Sequence, residues 1–210
     1  MRTAVVGATA AILIVATPAM ADIDRFDFPS RTQLAQALDL DRPGKIHVNR
    51  SPVDEYFGVV PKRCDITYHL RTGTENLQTS YGYRTSKYWI SPSIEIRRYA
   101  STSAATQRFR DVRQRLVDCA GRTYKDPPNM PTGGKVRIDR YNPPRIGTAS
   151  FGLTSSYCCE GGPAKSRIIV SRVGNTIIWT QGMNYGSDAA TMPSAAAYVQ
   201  LARLATRLGQ

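Results

Sequence analysis

The sequence predicts an α+β fold, an antiparallel sheet packed with helices and stapled by disulfides. Three observations carry this. Helix-like and strand-like segments are interspersed without regular βαβ spacing, one segment has the form of a tight β-hairpin, and four cysteines follow a leader-like N-terminus. The 210 residues are 41% apolar and 21% charged, which excludes a disordered chain; four cysteines are too few for a toxin-like disulfide scaffold.

Residues 1–21 read as a signal peptide. Arg2 is a lone positive charge, Ala4 to Thr17 is apolar or small throughout, and Pro18-Ala19-Met20-Ala21 ends in an A-x-A pattern, placing cleavage between Ala21 and Asp22. The apolar run falls short of the roughly 20 residues that span hydrocarbon. No cysteine follows it as a lipid anchor, and Arg2 lacks the second arginine of a twin-arginine signal. Taking away these 21 residues and their one arginine leaves 189 residues, 22–210, at a net charge of +11. That length fits one secreted domain, in which no transmembrane segment is expected. Six of the 28 basic residues are lysine and the rest arginine. High-GC codon usage explains that bias more readily than selection for phosphate recognition, and the net charge favours anionic partners in the compartment.

Along the mature chain, Ser30-Arg31-Thr32-Gln33 has the form of a capping box ahead of a short helix carrying Leu34 and Leu38. Strands are predicted at Ile46 to Val48 and Cys64 to Leu70, with a polar loop from Arg71 to Gly82. Further strands are expected at Tyr88 to Ile90 and Ile94 to Tyr99, with Ser91-Pro92-Ser93 as a break between them. A longer helix follows: Ser101, Thr102 and Ser103 offer caps, Ala105, Phe109, Val112 and Leu116 recur at helical spacing, and Gly121 stands where a C-terminal cap glycine belongs. Its polar face bears Arg108, Arg110, Arg113 and Arg115 with Asp111 and Asp118; an anion-binding face is one reading, and a solvated face with local ion pairs is the commoner outcome. Two strands are expected from Gly134 to Asp139 and from Thr148 to Leu153. Arg167 to Val173 and Thr176 to Thr180 then form a hairpin around Gly174-Asn175, a turn expected to take positive φ angles. A last helix after Pro193-Ser194 places Tyr198, Leu201, Ala205 and Leu208 on one face.

The cysteines Cys64, Cys119, Cys158 and Cys159 are even in number, and an exported chain meets an oxidising compartment, so two disulfides are expected. A bridge between Cys158 and Cys159 needs a strained eight-membered ring. In an extended segment their side chains point to opposite faces, which favours Cys64 and Cys119 each pairing with one member of that doublet. Each closure stabilises by about 3 to 5 kcal/mol in the chain-entropy account. Metal binding is a poor reading of these thiols: there is no C-x-x-C, and His47 and His69 lie far from the doublet.

Catalytic signatures are missing: no G-x-S-x-G, H-E-x-x-H, Walker loop or G-x-G-x-x-G occurs. Hence no catalytic, cofactor or metal residue is assigned, and a secreted hydrolase using His47 or His69 remains only the alternative reading, with a basic inhibitor of another protein behind it. The stretch Tyr81-Gly82-Tyr83-Arg84-Thr85-Ser86-Lys87-Tyr88-Trp89 interleaves rings with cations, so Tyr83, Arg84, Tyr88 and Trp89 are the candidate ligand contacts. Rings packed against the sheet are the commoner use of such residues. For an exported chain with 16 acidic residues nucleic acid is not expected; an anionic or carbohydrate ligand of the cell envelope, or a lipid head group, fits better.

The strand Ser93 to Tyr99, the Ser/Thr-capped helix with its late Phe109, Cys119-Ala120-Gly121-Arg122-Thr123 at its end, a later hairpin and an Ala-rich C-terminal helix together resemble the PknH-like extracellular sensor domain of actinobacteria. The resemblance runs loosely from Ser30 to Leu208 and is most specific from Phe109 to Thr123. It implies a twisted antiparallel sheet with helices, two disulfides and a cleft for an extracellular ligand, without catalysis: a sensor-like binding domain. Two departures stand out. The chain has no kinase domain, transmembrane helix or lipobox, and where such domains carry a cysteine near the end of the hairpin it has Thr180-Gln181-Gly182, so Cys158-Cys159 would supply the missing thiols.

Overall fold

A computed structural model describes residues 22–40, 45–52, 55–57, 64, 66–68, 74–84, 89–125, 135–158, 164–185 and 193–210. Residues 1–21, with the expected cleavage site, lie outside them, as do His69, Tyr88 and Cys159.

Ten strands and three α-helices are described: α1 (Arg31–Leu38), β1 (Lys45–Pro52), β2 (Glu55–Phe57), β3 (Ile66–Tyr68), β4 (Glu75–Arg84), β5 (Trp89–Arg98), α2 (Thr102–Asp118), β6 (Arg122–Lys125), β7 (Lys135–Tyr141), β8 (Ala149–Cys158), β9 (Ala164–Val173), β10 (Thr176–Tyr185) and α3 (Ala195–Leu208). Eight strands make one antiparallel sheet in the order β1-β4-β5-β10-β9-β8-β7-β6, and β2 and β3 pair separately. The α+β expectation is met.

Each helix starts where its cap residue says it should. Ser30, Ser101 and Ser194 accept hydrogen bonds from the backbone N–H of Gln33, Ala104 and Ala197, satisfying donors that the first turn leaves unpaired. At the end of α2 the cap is Cys119, and Gly121, at φ 79°, sends the chain back to donate its N–H to Ile138 O at 2.8 Å.

Helices cover both faces of the sheet. On one, Phe109, Val112 and Leu116 of α2 share a core with Phe151, Leu153, Ile168, Val170, Ile177 and Trp179; the Phe109 and Phe151 rings meet edge to face at 5.4 Å. On the other, Leu34 and Leu38 of α1 and Tyr198, Leu201, Ala202 and Ala205 of α3 pack with Tyr81, Ile94, Ile96, Ile169 and Ile178. Successive residues of β9 and β10 therefore enter opposite cores, which is why these two strands are apolar without interruption. Gly182 of β10 lies beneath the Tyr198 ring, where any Cβ would overlap it. Leu208 is only half-buried, because the apolar face of α3 is centred on Tyr198, Leu201 and Ala205.

Several expectations are corrected. The polar segment expected as a loop from Arg71 is, from Glu75 onward, strand β4. Its odd positions Thr79, Tyr81 and Tyr83 are buried, and threonine and tyrosine suit a pleated, half-buried surface. Ser91-Pro92-Ser93 does not break the chain into two strands: β5 runs through it. The β4–β5 ladder lapses opposite Pro92 and Ser91 and then resumes in the same register, since proline has no N–H to give. Of the strand expected from Cys64 to Leu70, Ile66–Tyr68 is strand and Cys64 is not part of it; residues 65, 69 and 70 lie outside the described residues. At the hairpin, Gly174 alone takes the positive φ, 52°. Asn175 instead holds the end of β5, its Nδ2 donating to Tyr99 O at 2.7 Å while its own carbonyl accepts from Tyr99 N at 2.9 Å.

The disulfide pairing also differs. Cys64 is bonded to Cys119, with their Cα atoms 6.0 Å apart, and not to the Cys158-Cys159 doublet. The reason is topological: Cys119 ends α2, and the β2–β3 pair lies beside that helix on the same face, Phe57 joining the α2 core. Cys158 ends β8, opposite Lys135 of β7. Mass-spectrometric mapping of a non-reducing digest is expected to return a peptide cross-linked between Cys64 and Cys119. A peptide joining either of them to the doublet would overturn this pairing.

Candidate ligand-binding site

The sheet face that carries α2 is apolar under the helix and polar beside it. Register sets out the polar part in rows. Ser80, Ser93 and Gln181 stand side by side on β4, β5 and β10. In the next row Ser91, Met183, Ser166 and Ser155 follow one another across β5, β10, β9 and β8. Ser80, Ser91, Ser93, Gln181 and Met183 are half-buried, whereas Ser155 and Ser166 are buried. Gln181 ties the patch to the core: its Oε1 accepts from Trp179 Nε1 at 3.2 Å and its Nε2 donates to Ser166 Oγ at 3.5 Å.

Toward the core, the patch borders a charged pair. Glu95 and Arg97 alternate with Ile94 and Ile96 on β5, so both point to the α2 side, and they are ion-paired. Arg97 is fully buried, its guanidinium carbon 3.7 Å from the Phe57 ring centroid and 5.9 Å from that of Trp179. A planar guanidinium stacks on such rings with little loss of hydration. The Phe57 and Trp179 rings themselves meet edge to face at 5.9 Å. Burial pushes the Glu95 carboxyl above its ordinary value of 4.5, and Arg97 offsets that only partly.

The residues singled out in the sequence fall differently. Tyr83 is buried, 2% exposed, and Tyr81 is a core residue whose hydroxyl donates to Pro29 O at 2.6 Å. Burial holds its phenol well above the ordinary range. Arg84 and Trp89 are register partners at the far end of the β4–β5 ladder, and Tyr88 lies outside the described residues. His47 is exposed on the edge strand β1, opposite Gly82. No cluster of three His, Cys, Asp or Glu able to hold a metal occurs among the described residues. Sequence reasoning passed over Gln181, Ser80, Ser91, Ser93, Glu95 and Arg97. The signal was present in the alternation Ser93-Ile94-Glu95-Ile96-Arg97, one face apolar and the other polar.

No protein-family model matches the sequence, and no curated protein is significantly similar to it. Among solved structures, the chain has the fold of the extracellular domain of PknH from Mycobacterium tuberculosis, with a TM-score of 0.53 at 10% identity over 85% of this chain and 92% of that one. An uncharacterised protein from Mycobacterium smegmatis aligns over 83% of this chain and 94% of its own, with a TM-score of 0.42 at 10% identity. The PknH-like resemblance of the sequence thus holds at the level of the fold.

The Glu95 environment yields a pH dependence. With its pKa raised on folding, the carboxyl contributes stability that is fully present below 4.5 and lost as pH rises through the raised value. Glu95→Gln sheds the buried charge while its amide oxygen still accepts from Arg97, whose cation also rests on two rings. The variant is expected to melt no lower than the parent at pH 7, with any advantage vanishing as pH falls toward 4.5. A variant markedly less stable at pH 7 would contradict this.

Proposed function

We propose that the chain is an exported, non-catalytic, sensor-like domain that binds a hydroxyl-rich ligand of the cell envelope on the polar part of the sheet beside α2. The observation that carries the reading is the half-buried set Ser80, Ser91, Ser93 and Gln181. Neutral hydroxyl and amide groups at neighbouring register positions offer both donors and acceptors, which suits a saccharide, and the rigid sheet fixes their spacing.

Three further features support the setting. Residues 1–21 have the form of a secretory leader, and a Cys64–Cys119 disulfide persists in oxidising compartments. The protein whose fold it shares is named as an extracellular domain. Among the described residues, no helix is long and apolar enough to cross a membrane.

The test is a thermal-shift screen with neutral oligosaccharides such as maltotetraose, cellotetraose and mannotetraose. A saccharide at 100 times its dissociation constant is expected to add about 2.7 kcal/mol of stability, and Ser93→Trp, which fills the seat, is expected to abolish the shift while leaving a folded protein. Absence of any shift across the panel counts against this reading. Release of reducing ends from the same sugars would replace it with hydrolysis.

A further inference from the structure

The polar face of α2 was expected to be solvated with local ion pairs, but its acids are bonded elsewhere among the described residues. Asp111 accepts from Gln107 Nε2 at 2.8 Å, and Asp118 accepts from Gln114 Nε2 at 2.9 and 3.0 Å. Neutral amides thus occupy both acids on that face. Arg110 and Arg113 form no ion pair among the described residues.

These two arginines line a groove of about 360 Å³ together with Gln114, Val117, Asp118 and Arg140. Spacing explains the wall from α2: positions 110, 113, 114, 117 and 118 fall on one stripe of a helix, beside the core stripe of Phe109, Val112 and Leu116. Alternation explains the opposite side. On β7, Val136 and Ile138 are buried in the α2 core, so Arg140, two positions on, continues the same row beyond the edge of that core. It too has no ion-pair partner among the described residues. The groove therefore gathers three guanidinium groups around one carboxylate, and like charges held together in this way attract an anion.

We propose that this groove is a binding site for a phosphorylated, hydroxyl-bearing ligand. Arg110, Arg113 and Arg140 grip the phosphate, for which the planar guanidinium fork is geometrically matched. A carboxylate has about four lone-pair sites, so Asp118 keeps acceptor capacity for ligand hydroxyls after bonding Gln114. The half-buried Val117 gives an apolar surface between them. This site lies on the outer side of α2, uses charge where the sheet patch uses neutral groups, and does not rest on the saccharide reading.

The probe is glucose 6-phosphate, with glucose as the uncharged control; vesicles of phosphatidylcholine with and without phosphatidylinositol separate a free phosphate from a lipid head group. Saturable binding of glucose 6-phosphate that weakens with added salt, with none to glucose, is the expected result. Arg113→Gln is expected to weaken it about tenfold, and the triple variant R110Q/R113Q/R140Q to abolish it. Since these side chains are exposed, the variants should keep the parent's melting curve. Arg113→Lys, which retains charge without the fork, is expected to fall between the parent and Arg113→Gln and guards against misreading an unfolded variant. Binding confined to the phosphatidylinositol vesicles and lost in the triple variant supports the site with a lipid as the source. Binding to neither probe, or binding that the triple variant retains, overturns the proposal. Ser93→Trp should leave phosphate binding intact, so either site can fail alone.

Discussion

The structure depends on a hairpin that is buried on both faces. β9 and β10 are the two middle strands of the eight, and Ile168, Ile169, Val170, Ile177, Ile178 and Trp179 are each at most 2% exposed. Full burial of a side chain of this size stabilises by about 1.5 to 3 kcal/mol, and these six serve two cores at once. Neither helical layer can form without the hairpin: α2 packs on its odd β10 positions, and α3 with α1 on the even ones. On the α3 side, Thr206 Oγ1 donates to Ala202 O at 2.7 Å and is also 2.7 Å from Ser171 Oγ, so the buried Ser171 hydroxyl finds its partner on α3. Gly182 gives the Tyr198 ring its seat on that side, where a Cβ would overlap it.

Both candidate sites follow from how little of the sheet α2 covers. The helix shields the apolar centre of its face and leaves Ser80, Ser91, Ser93 and Gln181 half-buried on one side and Arg140 exposed on the other. The Cys64–Cys119 bond holds the β2–β3 pair beside the helix, which puts Phe57 over Arg97. That stack lets a guanidinium remain inside the core, and with it the Glu95 carboxylate at the edge of the polar patch. A charged pair so placed is a poor source of stability, because desolvation offsets its attraction, and the raised Glu95 pKa is the expression of that cost.

How much of this could be read from the sequence depended on whether the information was local. The β9–β10 hairpin was plain because β-branched runs flank a two-residue turn, and Ser30, Ser101 and Ser194 marked the helix starts by capping chemistry. Strand β4 was missed because its polar residues outnumber its apolar ones, although Leu77, Thr79, Tyr81 and Tyr83 already alternated. Pro92 misled for a related reason: a missing N–H interrupts one ladder without ending the strand. The disulfide pairing turned on where α2 ends relative to β2–β3, a tertiary distance that spacing does not encode. The same holds for the groove. Arg140 continues a legible row after Val136 and Ile138, but nothing in the chain says which side of α2 it will face.

Native-state hydrogen exchange tests the dependence on the central hairpin most directly. If both layers rest on it, the amides of Ile169, Val170, Ile178 and Trp179 exchange only through global unfolding and are the slowest in the protein, well behind those of the edge strand β1. Exchange of these amides by local opening, at a free energy clearly below that of global unfolding, would contradict the account.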